Sequence, residues 1–217
     1  MRSGAWIGVR MIFKMIRNDL TKNKIITLAA TVFIAAAAPS FKEKDKMLID
    51  WYVRQVTNNY DNITVHMNTP IDLEDVTSLK AEEYVICTGA SARVLSSDKR
   101  EIIEAIEYLR GYKEVGDKVV VIGGGLTGCE IAYDLALKNK EVTIVEMMDD
   151  IIKVRELAAT NRTCLIDLLK VNHVKVITNA TVVSLENSGL HYEKDGVDYG
   201  IKCDSIITSI GYIPNEE

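Results

Sequence analysis

Residues 119–146 read VVVIGGGLTGCEIAYDLALKNKEVTIVE, and they leave the chain little choice of fold. Val119–Ile122 is apolar at consecutive positions, as in a parallel strand buried on both faces. The strand runs into Gly123-Gly124-Gly125-Leu126-Thr127-Gly128, a match to G-x-G-x-x-G placed between a strand and a helix. Gly123 permits the tight turn, and Gly125 lets a pyrophosphate approach the backbone. Gly128 removes the side chain that would hold helix and strand apart. The helix N-terminus offers unpaired N–H groups and partial positive charge to phosphates. A second strand, EVTIVE, ends at Glu146, at the distance where this fingerprint places an acidic acceptor for a ribose 2′-hydroxyl. A 2′-phosphate beside Glu146 would be repelled, and the following Met-Met-Asp-Asp supplies no cation for it. The dinucleotide read from these residues is therefore NAD(H) rather than NADP(H).

The remaining chain supplies strands and helices around this unit. FKEKDKMLIDWYVRQVTNN puts Met47, Leu48, Trp51, Tyr52 and Val56 on one helical face. KIITL and NITVHMNT read as strands. SLKAEEYVICTGA ends a strand at Thr88-Gly89, and Ser97 or Asp98 is placed to cap a helix through REIIEAIEYLR. The helix after the glycines is expected to bury Cys129, Ala132, Tyr133 and Ala136. Beyond it follow the helix NRTCLIDLLKVN, the strand VKVITN, a meander with an Asp195-Gly196 hairpin turn, and the returning strand DSIITSIG. The pattern is α/β: β-α-β-α-β, a meander, then a strand that returns to the sheet.

Composition excludes several functions. A net charge of −5 over 217 residues, with no basic stripe, argues against nucleic-acid binding. Cys87, Cys129, Cys164 and Cys203 stand singly, without the spacing of a dithiol, zinc or iron–sulfur centre. The three histidines are scattered, and no Ser/His/Asp or Cys/His set can be assembled, so neither a catalytic residue nor a metal ligand is assigned. Glu130 admits two readings, the nicotinamide side of a pocket or a solvated helix position. Asp149 and Asp150 read as a polar loop.

The basic stretch before Ile25 and the apolar run to Ala38 have the outline of a secretory signal. The run is short for a membrane span. The reading preferred is a helix followed by a buried strand of a cytoplasmic protein, where NAD(H) is at hand.

KVVVIGGGLTGCEIAYDLA, the upstream YVICTGA and the terminal CDSIITSIGYIPN together resemble the nucleotide-disulfide oxidoreductase superfamily. They are similar to its second glycine fingerprint, its A-T-G motif and its closing strand. More narrowly, AAAAPSFKEKDKMLIDWYVRQV with ITVHMNT resembles the C-terminal module of old-yellow-enzyme-like NADH:flavin oxidoreductases, the 2,4-dienoyl-CoA reductase and enoate reductase group. The resemblance implies a Rossmann-type NAD(H) domain with a β-meander, residues 113–213, inserted in a partial FAD-type α/β domain, residues 1–112. Residues 214–217 begin the return to the latter.

It also implies hydride transfer from NADH to FAD, with Thr88, Gly89 and Gly211 at the junction. In the family an FMN-binding barrel then reduces an unsaturated acyl substrate. The chain departs from the pattern at Trp6, where the first fingerprint has its middle glycine, at Cys87, and after Glu217, where a G-D segment that contacts FAD is expected. The alternative is an NAD(H)-binding fragment or subunit without flavin, served by a flavin- or barrel-bearing partner chain.

Overall fold

The structure, a computed structural model, describes residues 26–27, 39–58, 63–64, 66, 68, 78, 89–95, 97–153 and 157–215. The proposed signal segment lies outside them except for Ile26 and Thr27, as do Thr88 and Cys87. In chain order the elements are β1 (Ile26–Thr27), α1 (Glu43–Asn58), β2 (Ile63–Thr64), β3 (Ala90–Ala92), β4 (Ile103–Glu104) and α2 (Ala105–Leu109). Then come β5 (Lys118–Ile122), α3 (Leu126–Leu137), β6 (Glu141–Val145), α4 (Ala159–Val171), β7 (Lys175–Ile177) and β8 (Thr181–Glu186). Last are β9 (Gly189–Lys194), β10 (Val197–Lys202), β11 (Ser205–Thr208) and β12 (Tyr212–Pro214).

The chain divides into two compact units. One comprises residues 1–36, 43–91 and 214–217. In it β1 and β2 pair in parallel, and the amphipathic helix expected over residues 41–59 forms as α1.

The other comprises residues 37–42 and 92–213 and is built in three layers. Its centre is a parallel sheet in the order β4-β11-β5-β6-β7. The consecutive apolar residues of β5 serve both faces. Val119 and Val121 pack toward α2, α3 and α4, whereas Val120 and Ile122 pack toward the antiparallel meander β8-β9-β10. The returning strand β11 lies beside β5, with Ser205 to Thr208 in register with Val119 to Ile122. Asp195 and Gly196 both have positive φ, 53° and 74°, in the two-residue turn expected between β9 and β10. Val183 is the extra residue of a bulge between β8 and β9, which leaves it exposed.

Two expectations are corrected. The helix proposed from Ser97 or Asp98 through Arg110 is shorter, because Ile103 and Glu104 instead form an edge strand against β11. Ile103 is buried there, a half-sheet position that suits a β-branched residue. Ser97 serves a local turn, its Oγ accepting from the Lys99 N–H at 3.2 Å. On α3, Cys129 and Ala132 are buried as expected, but Tyr133 and Ala136 are only half-buried, and Ile131, Asp134 and Leu135 complete the buried face.

Asp134 is a buried charge that the pattern did not announce, at 1% exposure. Its carboxylate accepts from the Tyr108 O–H at 2.6 Å, the Lys138 ammonium at 2.8 Å and the Ser40 N–H at 2.9 Å, and from the Ser40 hydroxyl. The same short segment brings Phe41 edge-on to Tyr133, with ring centroids 5.0 Å apart. Burial opposes the Asp134 charge, but the bonds from Lys138, Ser40 and Tyr108 more than offset it and hold its pKa below the ordinary 3.8. A folded pKa below the unfolded one means stability present above about pH 4 and lost as pH falls further. Asp134→Asn is expected to cost roughly 2–4 kcal/mol at neutral pH, with the deficit shrinking below about pH 4. Urea unfolding midpoints of both proteins across that range check this.

Candidate functional site

The glycine turn and Glu146 meet at the C-terminal ends of β5, β6 and β11, the crevice where parallel α/β sheets hold ligands. Each glycine is required, or left free, for a separate reason. Gly123 has φ +104°, and a Cβ on it would stand 2.3 Å from the Ser209 carbonyl oxygen. A Cβ on Gly128 would stand 2.0 Å from the Gly123 carbonyl oxygen, so α3 can lie against the turn only without one. At Gly124 the obstacle would be Ile151, 2.6 Å away. Gly125 differs: nothing lies within 4 Å of its Cβ position. That open space faces the start of α3, whose N-cap is Gly125 itself and whose first turn carries no side-chain cap. Leu126 and Thr127 are half-buried in that turn, with N–H groups of the kind that helix starts leave for an anion.

Glu146 is buried, at 8% exposure, and fixed by the backbone. Its Oε2 accepts from the Gly124 N–H at 2.6 Å and its Oε1 from the Met148 N–H at 2.8 Å. Each oxygen keeps a lone pair beyond these bonds. Beside the ribose contact expected of it, Glu146 ties the glycine turn to the end of β6.

Residues that the sequence reading passed over complete the rim. The Ile152 N–H donates to the Gly124 carbonyl at 2.7 Å. Arg162, from the first turns of α4, reaches Asp150 at 2.5 Å and the carbonyls of Ile151 and Ile152 at 3.0 and 3.3 Å. Asp150 is thus one arm of an ion pair, and Asp149 pairs with Lys153. A cation does come to this loop, from a position remote in sequence, but it is engaged by the loop itself. Glu130 forms an ion pair, its Oε1 lying 2.6 Å from Lys42 Nζ.

Gly211 has φ +93° with open space at its Cβ position, and its carbonyl accepts from the Arg93 N–H at 3.0 Å. Gly89, in the other unit, has φ +77°, and its carbonyl accepts from the Asn215 N–H at 3.0 Å. Thr88 is outside the described residues. Among the described residues no group of three or more His, Cys, Asp or Glu is placed to hold a metal, and no helix is long and apolar enough to cross a membrane.

A Rossmann-type α/β body with a glycine turn, a free helix start and a buried acidic residue defines a dinucleotide-binding class. The chain belongs to the pyridine nucleotide-disulphide oxidoreductase family, which it matches over residues 5–217. Members of this family bind FAD and NAD(P)H in general. The chain is 33% identical over 186 residues to cinnamate reductase of Clostridium sporogenes, covering 85% of this chain and 28% of that protein. It is 33% identical over 143 residues to dihydrolipoyl dehydrogenase of Mycoplasma pneumoniae, covering 63% of this chain and 31% of that one. Among solved structures, 2-naphthoyl-CoA reductase in complex with 2-naphthoyl-CoA superposes with a TM-score of 0.69 at 23% identity, covering 87% of this chain and 28% of that one. That likeness is one of fold. The chain spans under a third of the length of each of these relatives.

Cys129 sits at the base of the site, its Sγ 3.4 Å from the Gly124 carbonyl. Burial, then the charges of Glu146 and Glu130, push its thiol up to about 12, with Arg162 pulling weakly the other way. Burial raises Cys203 as well. Neither forms a thiolate at neutral pH, so both are packing residues. At about pH 8 a maleimide should label exposed Cys164 promptly, and Cys129 and Cys203 at least about 1,000-fold more slowly, by opening of the fold. Peptide mass mapping reads this; prompt labelling of Cys129 would contradict it.

Proposed function

We propose that this chain is an NADH-dependent flavin oxidoreductase module, with residues 113–213 binding NAD(H) and passing hydride onward to FAD. The observation that carries the reading is Gly125: open space at a free helix start, beside a buried carboxylate locked in place. A diphosphate approaching there meets the N–H groups of the first turn of α3 and no side chain. The adenosine ribose is held through the remaining lone pairs of Glu146, and its 2′-phosphorylated form is repelled by that fixed charge. When bound, NADH and FAD supply the redox chemistry between them by apposition of their rings. The chain needs no protein acid or base for that step; it orients the donor and excludes water from the turn. Reduction of an unsaturated acyl substrate, as the name cinnamate reductase indicates for that relative, falls to a flavin- or barrel-bearing partner.

Trp6, standing where the first fingerprint has its middle glycine, favours a second reading in which the chain binds NAD(H) and holds no flavin. Calorimetric titration separates the common part of both readings from the rest. NADH should bind at least about tenfold more tightly than NADPH. Gly125→Val should lose NADH binding while its unfolding free energy falls by no more than about 1–2 kcal/mol, since a Cβ there meets no neighbour and what is lost is mainly the N-cap preference for glycine. Equal binding of both nucleotides, or full binding by Gly125→Val, would overturn the site. Incubation with FAD followed by anaerobic NADH then decides the flavin: a bound spectrum that bleaches supports the oxidoreductase, and a colourless protein leaves NAD(H) binding alone.

A further inference from the structure

We infer that β10 is a self-pairing edge, through which two copies of this chain join their meanders into one continuous antiparallel sheet. The meander order β10-β9-β8 leaves β10 at the border, and five of its six residues are exposed. The two-residue turn makes Lys194 and Val197 the closing hydrogen-bonded pair, so Val197, Tyr199 and Ile201 direct their backbone groups to β9. Those of Asp198, Gly200 and Lys202 then point outward, and among the described residues they enter no other backbone hydrogen bond.

The sequence Asp198-Tyr199-Gly200-Ile201-Lys202 is complementary to itself when reversed about Gly200. A second copy, antiparallel with the dyad at Gly200, sets Asp198 opposite Lys202 of the second copy and Tyr199 opposite its Ile201. The outward-facing residues then all fall in hydrogen-bonded pairs. Moving the dyad to Tyr199 or Ile201 sets Asp198 or Lys202 against Gly200 and loses the charge pairing.

Two details of the isolated edge favour an occupant. Asp198 stands opposite Glu193 of β9, a like-charge pair that Lys202 of a second copy would neutralise. Tyr199 stacks on Tyr192 at 5.3 Å yet remains 45% exposed, and Ile201 of the second copy would cover it. Gly200 at the dyad brings no side chain of its own to the junction; the ring of His191 lies 3.4 Å from its Cβ position. A pairing this short buries less than a standard interface, so the dimer dissociates on dilution.

Sedimentation equilibrium of the chain across a wide concentration range tests this. A monomer–dimer equilibrium is expected, weakened roughly tenfold or more by Asp198→Lys or by Lys202→Asp alone. The double exchange Asp198→Lys with Lys202→Asp should restore association to within about threefold of the parent. Gly200→Pro removes an outward N–H without touching the β9 pairs, and should abolish the dimer while circular dichroism stays unchanged. A chain that is monomeric throughout overturns the proposal. So does a dimer indifferent to Asp198→Lys and Gly200→Pro, or a folded double variant that fails to regain association.

Discussion

The carboxylate of Glu146 joins two parts of the chain that would otherwise be independent. One oxygen accepts from the Gly124 N–H at 2.6 Å and the other from the Met148 N–H at 2.8 Å, inside a nearly dry environment. Backbone bonds to a buried charge are among the stronger ones available to a protein, and leaving that charge unpaired would cost several kcal/mol, on the order expected for a broken buried ion interaction. The glycine turn is therefore shaped before any ligand arrives. Gly124 must lack a side chain because its N–H approaches Glu146 with Ile151 packed behind it. The same turn receives α3 through Gly128 and abuts the end of β11 through Gly123. One fixed anion thus determines where a helix start, a turn and two strand ends lie relative to one another.

Pre-organisation of this kind has a functional meaning. Binding a flexible dinucleotide costs ordering entropy, and a turn already in place does not add to that cost. Under the proposed NAD(H) reading, discrimination against a 2′-phosphate is a matter of charge rather than shape. Glu146 cannot swing aside for a 2′-phosphate without releasing two backbone donors, and Arg162, which reaches this loop from α4, is committed to Asp150 and two carbonyls. The outer layers carry separate duties: α3 is pinned by the Asp134 network on one face of the sheet, and the meander closes the other.

How much of this was legible in the sequence depended on the range of the interaction. The turn at Gly123, the close approach at Gly128 and the hairpin at Asp195-Gly196 follow from local backbone chemistry, and the structure places them as the spacing implies. The place of Glu146 beside the glycine turn was legible because its distance from the glycines is set by one strand–helix–strand unit. The edge strand Ile103–Glu104 was not, because its partner β11 lies about a hundred residues on, and local periodicity there favours a helix. Asp134 is not marked as buried by any local pattern; its Lys138 partner one turn on is a local signal, but Tyr108 and Ser40 are not. Arg162 likewise returns to the loop after Glu146 only through the path of α4. A second nucleotide and the roles of Thr88, Gly89 and Gly211 are expectations of the resemblance alone, since no local pattern carries them; Gly89 and Gly211 each take a left-handed backbone conformation.

The proposed site seats a dinucleotide at the start of α3, against a turn that Glu146 already holds. Amide NMR spectra of isotope-labelled protein, recorded during titration with NADH, address it residue by residue. Large shifts are expected at Gly125, Leu126, Thr127 and Met148, with the Lys194–Val197 hairpin unmoved. Saturable binding that leaves those four amides in place and shifts another region would contradict it.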